Sequence, residues 1–117
     1  MRKVNIYIDA IKEHIEFRVG QNARENFDLI DDSKTDDIWF HISQASSCHV
    51  VASIPPDKNY DKKVLKRIAV QGAVLCKQYS KYKSDGAVNV IYTKIKNVVK
   101  APTIGAVSVE EYKTIII

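Results

Sequence analysis

One segment of this 117-residue chain has the spacing of a long helix, and almost all of the rest has the spacing of short strands. In residues 60–83 the apolar side chains recur every three, four or seven positions and therefore share one helical face. These residues are Val64, Ile68, Leu75, Tyr79 and Tyr82. Gly72 lies among them, where a missing side chain would let the helix approach a sheet closely. The segment predicts a single long amphipathic helix.

The other segments alternate apolar and polar residues over short runs, which is typical of strands with one buried face. Such runs lie at residues 4–10, 14–20, 38–42 and 49–53, and three or four more follow the turn at 84–86. Residues 21–30 suit a short helix or an ordered loop. Because little chain is left for parallel crossovers, the pattern predicts an α+β domain: a mostly antiparallel β-sheet with an N-terminal hairpin and one long amphipathic helix packed on a face.

Composition places the chain among folded proteins. Hydrophobic residues make up 45% and charged residues 27%, which excludes wholesale disorder. No apolar run reaches the length of a membrane span, and charges near the start leave no room for a signal-peptide core. Cys48 and Cys76 lack metal-type spacing and predict reduced thiols. We therefore expect a single domain over residues 1–117, in the cytoplasm and without a membrane partner.

The charges are distributed unevenly along the chain. Residues 58–100 contain eleven lysines and arginines against Asp61 and Asp85, whereas residues 1–57 are net acidic. A concentration of positive charge in one segment favours a polyanionic partner more than the overall charge does.

Residues 36–51, DDIWFHISQASSCHVV, contain the only tryptophan, two of the three histidines and one of the two cysteines. A zinc site needs three or four converging ligands, but Cys48 and His49 are neighbours and would point to opposite faces of a strand. No nucleophile elbow or cysteine-protease signature is present, and the aspartates of residues 31–37 fit a solvated turn. We expect no catalysis, no cofactor and no metal; a hydrolase or metal enzyme using His41, His49 and Cys48 is the least favoured alternative.

Two basic stretches also contain tyrosine, KQYSKYK at 77–83 and YTKIKNVVK at 92–100. The lysines at 94, 96 and 100 are separated by even numbers of residues, so a single strand through them would present all three on one face. Lysines beside aromatic residues are a usual means of binding RNA or single strands. A solvated helix face and an edge strand protected by lysines would give the same pattern.

Three stretches, in this order, resemble one family: VGQNARENFDL, DDIWFHISQASSCHVV and YTKIKNVVK. They are similar to the NFACT-R domain, the C-terminal RNA-binding domain of the fibronectin-binding-like, ribosome-quality-control factors. The likeness runs along nearly the whole chain and implies a stand-alone NFACT-R domain.

The family pattern can be carried over position by position. G-x-N-x-x-x-N falls on Gly20, Asn22 and Asn26, with Arg24 between the asparagines. The other motifs fall on Asp37, Trp39, Phe40 and His41, on Cys48, His49 and Val50, and on Tyr92, Thr93, Lys94 and Lys96. The chain departs from the family at Ser47 and Cys48, where glycine and serine are common, at Ser53, where arginine is common, and at Phe27, where an acidic residue is usual. The missing arginine weakens the case for phosphate contact by the second hairpin, which we expect the strands at residues 38–42 and 49–53 to form.

The resemblance implies binding of structured RNA, tRNA or ribosomal RNA, in translation or ribosome quality control. Together with the basic pattern it predicts these nucleic-acid-binding residues: Asn22, Arg24, Asn26, His41, His49, Lys62, Lys66, Lys77, Lys81, Lys94, Lys96 and Lys100. The four helix lysines fall opposite the apolar face. DNA and the ribosome are further possible partners, and a protein-interaction module with an open sheet edge near the C-terminal TIII is the alternative function. A monomer and a homodimer both fit.

Overall fold

The computed structural model describes residues 1–117. Its strands and helices are β1 Arg2–Ile8, β2 Glu13–Gly20, α1 Ala23–Asp31, β3 Ile38–Ile42, β4 His49–Ala52, α2 Lys62–Gln78, β5 Asn89–Lys94, β6 Val98–Lys100, β7 Val107–Val109 and β8 Lys113–Ile116. Six strands form one antiparallel sheet in the order β1-β2-β4-β3-β5-β8, and β6 pairs with β7 in a separate ladder. The α+β prediction and both predicted hairpins are confirmed.

Helix α2 covers one face of the sheet. Its buried residues pack against the inward side chains of the central strands, including Ile38, Phe40 and Ile42 of β3. Gly72 lies directly over the Phe40 ring, and a Cβ atom there would overlap that ring. The sequence expectation that Gly72 permits close packing of helix on sheet is confirmed.

The helix is shorter than its apolar periodicity predicts. It begins after Asp61, whose carboxylate accepts the Val64 N–H at 2.9 Å, and it ends at Gln78 rather than near residue 83. Beyond that end the Ser80 hydroxyl donates to the Lys77 carbonyl at 2.7 Å and accepts the Tyr82 N–H at 3.1 Å, which turns the chain away from the helix axis. Tyr79 and Tyr82 still pack against the core. The apolar residues therefore keep a helical spacing beyond Gln78, although the helix ends there.

The opposite face of the sheet is covered by α1 and by the β6–β7 ladder. A second buried cluster lies there, formed by Leu29, Trp39, Val51, Ile95 and Val98. Side chains alternate across each strand, so Trp39 lies on this face while its neighbour Phe40 lies beneath α2. None of the helices is both long and apolar enough to cross a membrane.

Candidate nucleic-acid interface

Seven of the twelve predicted binding residues border two concave regions of the molecule, and the other five, Arg24, Lys77, Lys81, Lys96 and Lys100, border neither. We call the first the lysine groove; it is bordered by Lys62, Lys66, Tyr92, Lys94, Tyr112 and Lys113 and has a volume of about 680 Å³. We call the second the histidine cavity; it is bordered by Asn22, Asn26, Trp39, His41, His49 and the 104–109 segment and has a volume of about 710 Å³. Ile91 borders the cavity, whereas Tyr92, Thr93 and Lys94 border the groove. Ile91 and Tyr92 point to opposite faces of the sheet, and at Thr93 the groove reaches past the edge of its own face.

The lysine groove is assembled from elements far apart in the sequence. Lys62 and Lys66 stand four residues apart on α2, Lys94 ends β5, and Lys113 begins β8. The antiparallel register places Lys113 opposite Tyr92 and Ile38 opposite Lys94. Strand pairing therefore brings lysines from both strands to the side of the sheet where α2 begins.

Charge in the lysine groove is only partly balanced by carboxylates. Asp36 lies 3.5 Å from the Lys94 ammonium, and Glu111 also borders the groove. Lys62, Lys66 and Lys113 have no carboxylate within ion-pair distance. The groove thus keeps an excess of positive charge on exposed side chains.

The prediction that Lys94, Lys96 and Lys100 form one row on one strand is wrong. Strand β5 ends at Lys94, residues 95–97 form a 3₁₀ turn, and Lys100 belongs to β6 in the other ladder. The turn forms because Ile95 and Val98 are both buried in the second cluster, which a continuous strand would not allow. Lys100 instead pairs with Asp31 at 2.6 Å and lies over the Phe27 ring, while exposed Lys96 borders neither region.

The four predicted helix lysines also do not form one surface. Lys77 donates to the Ile117 carbonyl at 3.1 Å, and Lys81 lies past the end of α2, with its ammonium 5.5 Å from the Tyr82 ring centre. Neither borders the groove. Only Lys62 and Lys66 of the helix set join Lys94 there.

In the histidine cavity, Asn22 and Asn26 have structural roles besides bordering the space. Asn22 caps α1, with its side-chain oxygen accepting the Glu25 N–H at 2.8 Å. The Asn26 oxygen accepts the buried N–H of His49 at 3.2 Å, and Gly20 is required beneath it because a Cβ atom would overlap that oxygen. Arg24 points away from the cavity, is exposed, and pairs with Asp28 at 3.3 Å.

Trp39, His41 and His49 form an aromatic cluster on the floor of the cavity. The His41 ring stacks on Trp39 with centres 5.6 Å apart, and His49 meets both rings edge-on, at 5.4 Å from Trp39 and 5.0 Å from His41. Trp39 is only 1% exposed, so its own ring face is not available to a ligand.

The hydrogen bonds of this cluster fix the proton on each imidazole. The Trp39 indole N–H can only donate, so His49 Nδ1, at 3.2 Å, accepts and the neutral ring carries its proton on Nε2. The Ile42 carbonyl can only accept, so His41 Nδ1, at 2.7 Å, donates and Nε2 keeps a lone pair. One histidine thus offers a donor at Nε2 and the other an acceptor.

Both imidazoles are held in the neutral form. Burial, and to a smaller extent the charge of His41, lower the pKa of His49 from 6.5 to about 3. Burial also lowers the pKa of His41, and its hydrogen bond to the Ile42 carbonyl offsets this only in part. Since the cavity has no lysine, arginine, aspartate or glutamate on its border, it is uncharged near neutral pH.

Cys48 directly precedes β4 and borders the cavity with His49, but its side chain packs on the other face of the sheet, as predicted. Its thiol belongs to the core beneath α2 and lies 3.6 Å from the Cys76 carbonyl oxygen, while the Cys76 thiol lies 3.8 Å from the Cys48 carbonyl oxygen. Both cysteines are free thiols. No group of three or more histidines, cysteines or carboxylates is placed so that it could hold a metal ion.

Sequence reasoning missed Lys113 and Tyr112 of the groove and the 104–109 segment of the cavity. Their placement depends on β8 pairing with β5 and on β6–β7 folding back over the sheet. The available signal was the aromatic and basic pair YK preceding the TIII strand. Nothing local marked residues 104–109 as part of a site.

Comparison with known proteins agrees with the fold and with the family resemblance. The family model described as the NFACT protein RNA binding domain matches residues 4–110. The fold is similar to the C-terminal part of the fibronectin/fibrinogen-binding protein from Streptococcus suis, with a TM-score of 0.78 and 22% identity, over 100% of this chain and 45% of that chain. This chain therefore spans less than half the length of that structure, and no curated protein matches it. Because the family model covers most of its residues, this chain belongs to the family of NFACT RNA-binding domains.

Proposed function

We propose that this chain binds RNA and that the lysine groove is its phosphate-binding surface. The observation that carries the proposal is the convergence of Lys62, Lys66, Lys94 and Lys113 on one groove beside two tyrosines. Phosphate contacts supply most of the affinity of such surfaces, and aromatic rings add stacking with unpaired bases. Membership of an RNA-binding family supports a nucleic-acid ligand over other polyanions.

The start of α2 gives further support from Lys62 and Lys66 themselves. They lie in its first two turns beside Lys63 and Arg67, and the carboxylate of the N-cap Asp61 is the single acidic group there. Cations near a helix N-terminus are unfavourable because the helix dipole is positive there, and like charges four residues apart repel. A bound polyanion would relieve both effects.

For the ligand we propose a structured RNA, tRNA or ribosomal RNA, met in the cytoplasm during translation or ribosome quality control. The family to which the chain belongs supports RNA as the ligand; the kind of RNA and its cellular setting are part of the proposal. Binding by shape and phosphate contact requires no reacting group, and we propose no catalysis.

The test is a fluorescence-anisotropy titration with tRNA, single-stranded DNA and duplex DNA across a salt series. The variant Lys62→Glu/Lys66→Glu is compared with Lys63→Glu/Arg67→Glu, which makes the same change in charge on the same helix but outside the groove. We expect the groove variant to bind tRNA at least about tenfold more weakly and to lower the salt slope by about two. The control should lose much less.

Equal losses in the two variants would show a diffuse attraction to positive charge rather than a groove. Absence of tRNA binding by the unmodified protein at low salt would remove the proposal. Equal affinity for tRNA and both DNA ligands would reduce it to general nucleic-acid binding.

A second candidate, docking on a protein partner, is favoured by one observation. Strand β8 pairs on one side only, and Ile116 at its end is 68% exposed, which leaves a sheet edge open to augmentation. Sedimentation of the protein with Ile116→Lys as a control tests self-association through this edge. A monomer at all concentrations, with no partner retained in a pull-down, would eliminate it.

A further inference from the structure

We propose that the histidine cavity receives one unpaired nucleobase and reads the edge that base pairing would otherwise occupy. The proposal deepens the proposed function, since it assumes that the ligand is RNA. It concerns a different surface from the lysine groove, with a different chemistry, so the two can fail separately.

Three polar side-chain atoms at the cavity floor have no partner within the protein. His41 Nε2, His49 Nε2 and the Asn26 amide nitrogen take part in none of the hydrogen bonds of their side chains. The fully sealed side-chain polar atoms without partners are Arg18 Nε and the Tyr60 hydroxyl oxygen, and neither belongs to the cavity. None of the three atoms of the cavity is fully sealed, but access differs: His49 is 1% exposed and Asn26 7%, so each is reached only through a narrow opening, whereas His41 is half-buried.

These atoms present a defined pattern. His41 Nε2 is an acceptor, whereas His49 Nε2–H and the Asn26 amide are donors. The pairing edge of every nucleobase places a donor beside an acceptor, and that edge is free only when the base is unpaired. Since the Trp39 indole fixes His49 and the Ile42 carbonyl fixes His41, the pattern is preorganised.

The remainder of the cavity suits a flat ring. Ile91, Val107 and Val109 supply apolar walls, and Ile104, which is 49% exposed, lies at the border. The volume of about 710 Å³ is within the range of roughly 300–1,000 Å³ usual for small-ligand sites. A phosphate fits poorly, because no cationic side chain borders the cavity.

The variant His41→Phe tests the proposal, because it keeps an aromatic ring on Trp39 and removes the Nε2 acceptor. His14→Phe is the matched control: His14 is exposed, meets the Tyr7 ring edge-on at 5.3 Å, and lies outside the cavity. Each protein is titrated with labelled twelve-nucleotide RNA single strands of each base and with a twelve-base-pair RNA duplex. We expect the preference for single strand over duplex to fall by about fivefold to tenfold in His41→Phe, with an unchanged salt slope. His14→Phe should keep the preference.

An unchanged preference in His41→Phe, or no preference in the unmodified protein, would overturn the inference while leaving the groove in place. Nucleosides, which have no phosphate, provide a second test in protein labelled with ¹⁵N at histidine. Saturable shifts at the Nε2 atoms of His41 and His49, with none at His14, support the cavity site whatever the groove does. Shifts at none of the three rings would contradict it, and loss of all RNA binding with nucleoside shifts retained would overturn only the proposed function.

Discussion

The lysine groove and the histidine cavity are similar in volume but differ in how their side chains are held. The groove consists of exposed lysines with few fixed contacts, and its charge acts over a distance and weakens with salt. In the cavity, buried neutral groups have one hydrogen-bonding atom committed to the protein and another left free. Under the proposed function, the groove would attract phosphates and the cavity would discriminate among bases, which are separate tasks in RNA recognition.

The largest effect on the cavity alone is expected from a substitution at Gly20, which lies beneath Asn26. We expect Gly20→Ala to lower the free energy of unfolding by about 1–3 kcal/mol, because its Cβ would displace Asn26 from the His49 N–H. Urea denaturation measures the change. Gly86→Ala is the control, since a Cβ there meets no atom within 4 Å.

In the folded fraction of Gly20→Ala the salt slope of RNA binding should remain that of the unmodified protein. A lowered slope would mean that the cavity and the groove are not independent. Equal stability of Gly20→Ala and Gly86→Ala would contradict the packing described at Asn26.

A second difference is the response to pH. The His49 pKa is about 6.5 in an unfolded chain and about 3 in the fold, so between these values the unfolded chain binds more protons. The free energy of unfolding should therefore be retained above about pH 6.5 and should fall as the pH decreases below it, by up to about 1.4 kcal/mol per pH unit for this group. Urea denaturation from about pH 7 to about pH 5 measures it.

His49→Asn keeps an acceptor for the Trp39 N–H. It should reduce the pH dependence of the free energy of unfolding by the equivalent of almost one bound proton. His41 contributes in the same direction, because burial lowers its pKa too. Identical slopes in the unmodified protein and in His49→Asn would show that the fold does not hold His49 neutral.

The smallest predicted effect is a gain in stability from the groove. Lys62→Glu/Lys66→Glu should raise the free energy of unfolding by about 0.3–1 kcal/mol, since it replaces cations near the α2 N-terminus by carboxylates. Thermal denaturation at low salt measures the gain, which should diminish in high salt. A loss of stability would show that these lysines have packing contacts that support the fold.

Much of the fold follows from side-chain period alone. Alternation in β1 to β4 predicts both hairpins, and the apolar stripe of α2 predicts the face it buries, because these patterns depend on neighbours in sequence. The prediction of a row of lysines at 94, 96 and 100 was wrong for a related reason. Alternate residues share a face only while the strand continues, and burial of Ile95 and Val98 ends β5 at Lys94.

The two regions were predictable to different degrees. The motifs indicated His41, His49, Asn22 and Asn26 as a group, but not that His49 would be neutral, which depends on Trp39 and on burial in three dimensions. Membership of the groove depends on the order of strands in the sheet. That order is set by long-range packing, and Lys113 could not be assigned before β8 was placed beside β5.

Because Ile91 and Tyr92 border different regions, β5 is a wall shared by both. Insertion or deletion of a single residue within β5 would exchange the side chains offered to each face, so that an apolar residue would enter the groove and tyrosine the cavity. In a library of single-codon insertions, those at positions 90–93 should abolish both the proposed phosphate binding by the groove and the proposed base binding by the cavity. Insertions in the exposed turn at 84–87 should leave both binding properties intact. Length variation among relatives is therefore expected to be excluded from this strand and to accumulate in the turn before it.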